Sequence, residues 1–167
     1  MSAPATAQDR GTATATAPVH GLTVLYDAEC ALCRHVRDWL AGQPKLVPVR
    51  LVAAASAEAR ERFPGLDPAD TLEQVTVVGD AGQVYRGARA WIVVLWALRE
   101  HRPLAHKLST PTGMRFARGA VLAAAKYRVR QWGGRETYRR ADGWRYDPAT
   151  GWVHSSPSCS DGSCPTG

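Results

Sequence analysis

Residues 21–26, Gly-Leu-Thr-Val-Leu-Tyr, are apolar with no polar alternation, and this run constrains the fold more than any other segment. A strand of that kind is covered on both faces, as at the centre of a parallel or mixed sheet. The chain therefore has to supply a layer on each side of it. The next residues are equally specific. A short turn, Asp27-Ala28-Glu29, leads into Cys30-Ala31-Leu32-Cys33, which opens a helix predicted over 30–41. Leu32, Val36, Trp39 and Leu40 stand at near-helical spacing along it, and Gly42 is the stop signal.

Further along, 46–52 reads as a second strand, and Pro48 argues for an edge position or an irregular start. A helix with alternating charge is predicted over 53–63, closed by Pro64-Gly65. Residues 73–78 and 83–86 are strands joined by the turn 79–82, an antiparallel hairpin. Residues 90–100 form a helix apolar nearly all round, which should be buried. The order β-α-β-α-β-β-α, a right-handed crossover followed by a hairpin and a helix, is the thioredoxin-like arrangement. It predicts an α/β fold with a four-stranded mixed sheet flanked by helices.

Beyond Arg102 the character changes. A long basic helix is predicted over 114–132, docked by a stripe of Leu122, Ala125, Val129 and Trp132. Residues 99–140 hold eleven basic residues against two acidic ones. A small hairpin is expected over 144–153, and 155–167 is a Ser-, Gly- and Pro-rich tail around Cys159 and Cys164. The chain thus divides into a disordered leader over 1–20, a domain over 21–134 and a partly disordered extension over 135–167.

Composition narrows the classes. A content of 45% apolar and 22% charged residues excludes full disorder. The longest apolar run, 90–98, is nine residues, too short to span a membrane as a helix. No secretory or transit signal is visible, so the expected compartment is the cytoplasm, where paired cysteines more often bind metal or do redox chemistry than staple a fold.

The first cysteine pair gains its chemistry from its position. The first turn of a helix has unpaired backbone N–H groups and the positive end of the dipole, which together stabilise a thiolate. The three-residue offset places Cys33 nearly one turn on from Cys30, so one sulfur attacks a substrate disulfide and the other resolves the mixed disulfide. Arg34, His35 and Arg37 would favour the thiolate, and Asp27 and Glu29 would oppose it. Asp27 has two structural readings, helix cap or turn residue, and a functional one as proton acceptor from Cys33 during resolution. The competing reading of the pair is half of a four-cysteine zinc site completed by Cys159 and Cys164. The buried strand before the first pair, and the wider spacing of the second, weigh against it.

The segment 24–34, Val-Leu-Tyr-Asp-Ala-Glu-Cys-Ala-Leu-Cys-Arg, resembles the signature of the DCC thiol–disulfide oxidoreductase family, named for an Asp three residues before the first Cys of a Cys-x-x-Cys pair. Residues 84–90, Val-Tyr-Arg-Gly-Ala-Arg-Ala, are similar to its hairpin-to-helix block, and 126–130, Lys-Tyr-Arg-Val-Arg, to the basic end of its last helix. The resemblance implies a thioredoxin-like fold and a redox role for Cys30 and Cys33. Ala28 and Ala31 depart from the family's frequent Gly and Pro. No proline stands near Leu72-Glu73, where thioredoxins carry one before the third strand.

The expected activity is therefore disulfide exchange with protein or small-molecule thiols and disulfides, with no organic cofactor. Cys159 and Cys164 are candidates for a secondary redox pair on a tail, or an incidental pair. The basic helix is read as a solvated face; an anionic membrane surface or nucleic acid is the alternative partner, and no nucleic-acid motif supports the latter. Trp91 and Trp96 are expected in the core, and the histidines are expected not to ligate metal.

Overall fold

The computed structural model describes residues 17–132 and 137–155. Its main sheet contains β1 (Leu22–Tyr26), β2 (Val49–Ala53), β3 (Thr76–Gly79) and β4 (Val84–Arg86), in the order β2-β1-β3-β4. β2 runs parallel to β1, pairing Leu22 with Val49 and Tyr26 with Ala53, and β3 and β4 continue the sheet antiparallel. The apolar run 21–26 thus supplies an interior strand. Pro48 falls just before an edge strand, where its missing N–H costs no ladder bond. The helices are α1 (Ala31–Gly42), α2 (Ala57–Arg62), α3 (Pro68–Glu73), α4 (Ala88–Ala97), α5 (Arg102–Leu108) and α6 (Pro111–Gln131). The fold is thioredoxin-like α/β with an added long C-terminal helix.

Because side chains alternate along a strand, β1 feeds two cores. Leu22 and Val24 pack with Leu40, Val77, Ala90, Val94 and Leu98 on one side. Leu25 packs on the other side with Val52, Ala59, Leu72, Trp144 and Trp152. Those last two tryptophans come from a second, antiparallel sheet of β5 (Tyr138–Arg139), β6 (Trp144–Asp147) and β7 (Gly151–His154). The hairpin expected over 144–153 is present. It also gains a third strand and closes the second face of the domain.

Several expectations are corrected. The helix expected from residue 53 begins at Ala57: Ala53 is held in the sheet by Tyr26, and Ser56 caps the helix by accepting the Ala59 N–H at 3.1 Å. α3 replaces a loop and the start of the third strand. Its signals, Asp67 accepting the Ala69 N–H at 2.8 Å and Pro68 in the first turn, are a capping pattern. α5 likewise begins with Pro103 in its first turn. The apolar stripe expected on the basic helix is misplaced. Met114, Ala117 and Val121 pack toward α4 and α5, while Leu122 is 63% and Val129 46% exposed. Each residue turns the helix about 100°, so Leu122 lies well off the docked face set by Val121. Trp132 does reach the second core.

Of the leader expected to be disordered, 17–20 is described: Val19 packs on the first core and the Ala17 carbonyl accepts from Gln83 Nε2 at 2.9 Å. Residues 1–16 lie outside the described residues, as does 156–167 of the tail. No helix among the described residues is long and apolar enough to cross a membrane.

Candidate active site

The carboxyl end of β1 delivers the chain to Asp27. There Asp27 Oδ1 accepts the Glu29 N–H at 3.0 Å and the Asp27 carbonyl accepts the Cys30 N–H at 3.3 Å. Asp27 is thus the turn residue, and the helix cap is Cys30 itself: its sulfur accepts the Cys33 N–H at 3.2 Å. Local structure and chemistry coincide here. A sulfur that caps a helix takes up one of the unpaired N–H groups, and that bond is stronger to a thiolate than to a thiol.

Cys33 Sγ donates to Cys30 Sγ at 2.7 Å, and both cysteines are free. The two sulfurs share a proton asymmetrically. The hydrogen bond from the Cys33 thiol, then the Cys33 backbone N–H and the Arg128 charge, lower Cys30 from an ordinary value of 9.0 to about 6, against burial and the Asp27 charge. Cys33 is pushed well upward, first by its bond to Cys30 and then by burial. The pair therefore holds a thiolate at Cys30 and a thiol at Cys33. Cys30 is 7% exposed and Cys33 is half-buried.

The electrostatic surroundings differ from those expected. Arg37 is engaged by Asp38 at 2.6 Å and by the Tyr26 hydroxyl at 3.2 Å. The cation that favours the thiolate is Arg128 of α6 instead. Its Nη2 donates to Asp27 Oδ2 at 3.1 Å and to the Leu72 carbonyl at 3.2 Å. Arg140, which follows β5, donates from Nη1 to Asp27 Oδ1, and the two side chains are each 3% exposed. Asp142 grips Arg140 in turn, accepting from Nη2 at 2.8 Å and from Nε at 3.0 Å. Beside them the Ala141 N–H donates to the Glu29 carboxylate at 3.2 Å.

Sequence reasoning missed both arginines as site residues because each stands in a run of basic residues that reads as a solvated face. The resemblance over 126–130 was the signal for Arg128; Arg140 had none. Cys159 and Cys164 lie outside the described residues, and with them the other half of the four-cysteine zinc reading. Among the described residues no group of three His, Cys, Asp or Glu could hold a metal ion.

Comparison with known proteins adds one match. A family described as DCC1-like thiol-disulfide oxidoreductase covers residues 24–135. No curated protein and no solved structure matches the chain.

Proposed function

Because this chain belongs to the DCC1-like thiol-disulfide oxidoreductase family, we propose that it exchanges disulfides with a protein or small-molecule thiol partner through Cys30 and Cys33, with no organic cofactor. The observation that carries this reading is the 2.7 Å contact between the two sulfurs at the start of a helix. In the reducing direction the Cys30 thiolate attacks one sulfur of the substrate disulfide and expels the other as a thiolate. Cys33 then loses its proton and attacks Cys30 Sγ. That step releases the second substrate thiolate and leaves a Cys30–Cys33 disulfide, so two electrons have passed to the substrate. A second thiol system restores the pair by the same exchange. Asp27 is assigned the proton that Cys33 gives up.

The roles of the two sulfurs are separable. With a disulfide-bearing protein or glutathione disulfide as substrate, Cys33→Ser is expected to accumulate a mixed disulfide at Cys30, seen as a mass adduct. Cys30→Ser is expected to accumulate almost none. Equal trapping by the two variants overturns the assignment of attacking and resolving sulfur.

Cys159 and Cys164 are proposed as a second dithiol that passes electrons to the first. What supports this is the place where the chain leaves the described fold. The Ser155 N–H donates to the Gly143 carbonyl at 2.9 Å, in the same turn that carries Arg140 to Asp27 and Ala141 to Glu29. The tail therefore starts beside the segment that leads into Cys30.

A further inference from the structure

Four charges stand in a row across the base of the site: Asp142, Arg140, Asp27 and Arg128. The first two are supplied by the C-terminal sheet, beyond residue 135 where the family match ends. We propose that Arg140 is a positioning residue for the thiol chemistry: by binding Asp27 it offsets that carboxylate's charge and leaves Arg128 free to act on the sulfurs.

Asp27 and the sulfur pair compete for Arg128. Asp27 is buried behind the sulfur pair, and a bare carboxylate there opposes the Cys30 thiolate. Arg128 is the cation that favours the thiolate, yet it is also bound to Asp27. With Arg140 on Oδ1, Arg128 needs to balance only Oδ2. Without Arg140 a buried carboxylate is left half-compensated and draws Arg128 toward itself. Both consequences raise the proton affinity of Cys30. Arg140 is fit for the role because Asp142 holds its guanidinium as a fork, leaving Nη1 for Asp27. Arg34 and His35 follow Cys33 on α1, and Glu29 and Tyr138 lie nearby, but the charges that act on Cys30 are Arg128, which favours its thiolate, and Asp27, which opposes it.

The proposal rests on the thiol–disulfide reading for its use, but its test needs no substrate. Reduced full-length protein is alkylated with iodoacetamide across a pH series, and modification at Cys30 is read by fragment mass spectrometry. The plateau rate reports access to the sulfur, and the midpoint reports its charge. Arg140→Ala is expected to move the midpoint upward by about one pH unit. Arg140→Lys, which keeps the charge but not the fork that reaches Asp142 and Asp27 together, is expected to fall between the wild type and Arg140→Ala.

The decisive comparison is Asp27→Asn against Asp27→Asn with Arg140→Ala. Removing both partners avoids stranding a buried charge, so this pair keeps the test open even where Arg140→Ala alone does not fold. Arg140 acts through Asp27, so the two midpoints are expected to coincide. An unchanged midpoint in Arg140→Ala, or a one-unit rise in the double variant over Asp27→Asn, overturns the proposal. Failure of disulfide exchange with an intact midpoint shift would instead count against the activity.

Discussion

At the residue scale the distinctive feature is a sulfur that caps a helix. Cys30 does what Ser or Asp does at other helix starts, with a group whose charge is titratable near neutrality. A linkage consequence follows. Cys30 is lowered to about 6 in the folded protein from an ordinary value of 9.0. Between those two values the unfolded chain keeps the Cys30 proton and the folded protein has released it. Stability of the reduced protein therefore rises with pH across that window, and the gain is lost as pH falls through about 6. Denaturant titrations of reduced protein at a series of pH values should show that rise. They should show much less of it in Cys30→Ser, where the hydroxyl caps the helix without titrating. A Cys30→Ser variant with the same pH slope would mean that other groups carry it.

At the element scale, the block 84–90 acquires a physical reason for its glycine. Gly87 joins β4 to α4 with φ +57° and ψ −127°, a conformation reserved for glycine, and no side chain caps the helix there. A Cβ would also meet Gln74 Oε1 at 3.2 Å. Gly87→Ala is expected to cost on the order of 1–3 kcal/mol, read from the shift of the denaturation midpoint at unchanged slope. A loss of only a few tenths would show that the hairpin-to-helix junction relaxes freely. The second sheet works at the same scale. It brings Trp144 and Trp152 to the second core, and stacks Tyr138 on Trp132 with ring centroids 4.7 Å apart. The order that this packing imposes on β5 is what holds Arg140 in place at its end.

At the scale of the whole molecule, Ser155 is bonded to the turn that carries Arg140, and the second cysteine pair follows it in sequence. Cys159 lies four residues past Ser155 and Cys164 nine. At 3.3–3.6 Å per residue those spans reach at most about 14 Å and about 32 Å. A tether of that length confers an effective concentration in the millimolar range when it can span the two sites. A chain ending at Ser155 retains β7 and both core tryptophans, so it is expected to unfold at the same denaturant concentration as the full chain. Cys30 and Cys33 are expected to be reduced by a small thiol as before. Turnover with a macromolecular reductant is expected to fall on the order of tenfold. Equal turnover with and without the tail would make the second pair incidental, and an unstable truncated protein would make the tail structural.

The local sequence determined a great deal. The uninterrupted apolar run of 21–26 demanded an interior strand, the Cys-x-x-Cys spacing placed two sulfurs one turn apart, and the hairpin and the aromatic strands near the end carried their own turn signals. These features depend on neighbours in the chain, so they are legible without a fold. The errors came where distant parts compete. Ala53 could continue a helix in isolation, but pairing with Tyr26 holds it in a strand. Leu122 and Val129 looked like a docking face until α4 and α5 took up Ala117 and Val121. The site shows the same division. The two sulfurs themselves were written in one short segment. Which cations surround them was decided by the tertiary structure, which draws Arg128 and Arg140 out of a long basic run and onto Asp27. By charge alone those two are indistinguishable from their neighbours, because a charge acquires its partner only when burial removes the competing water.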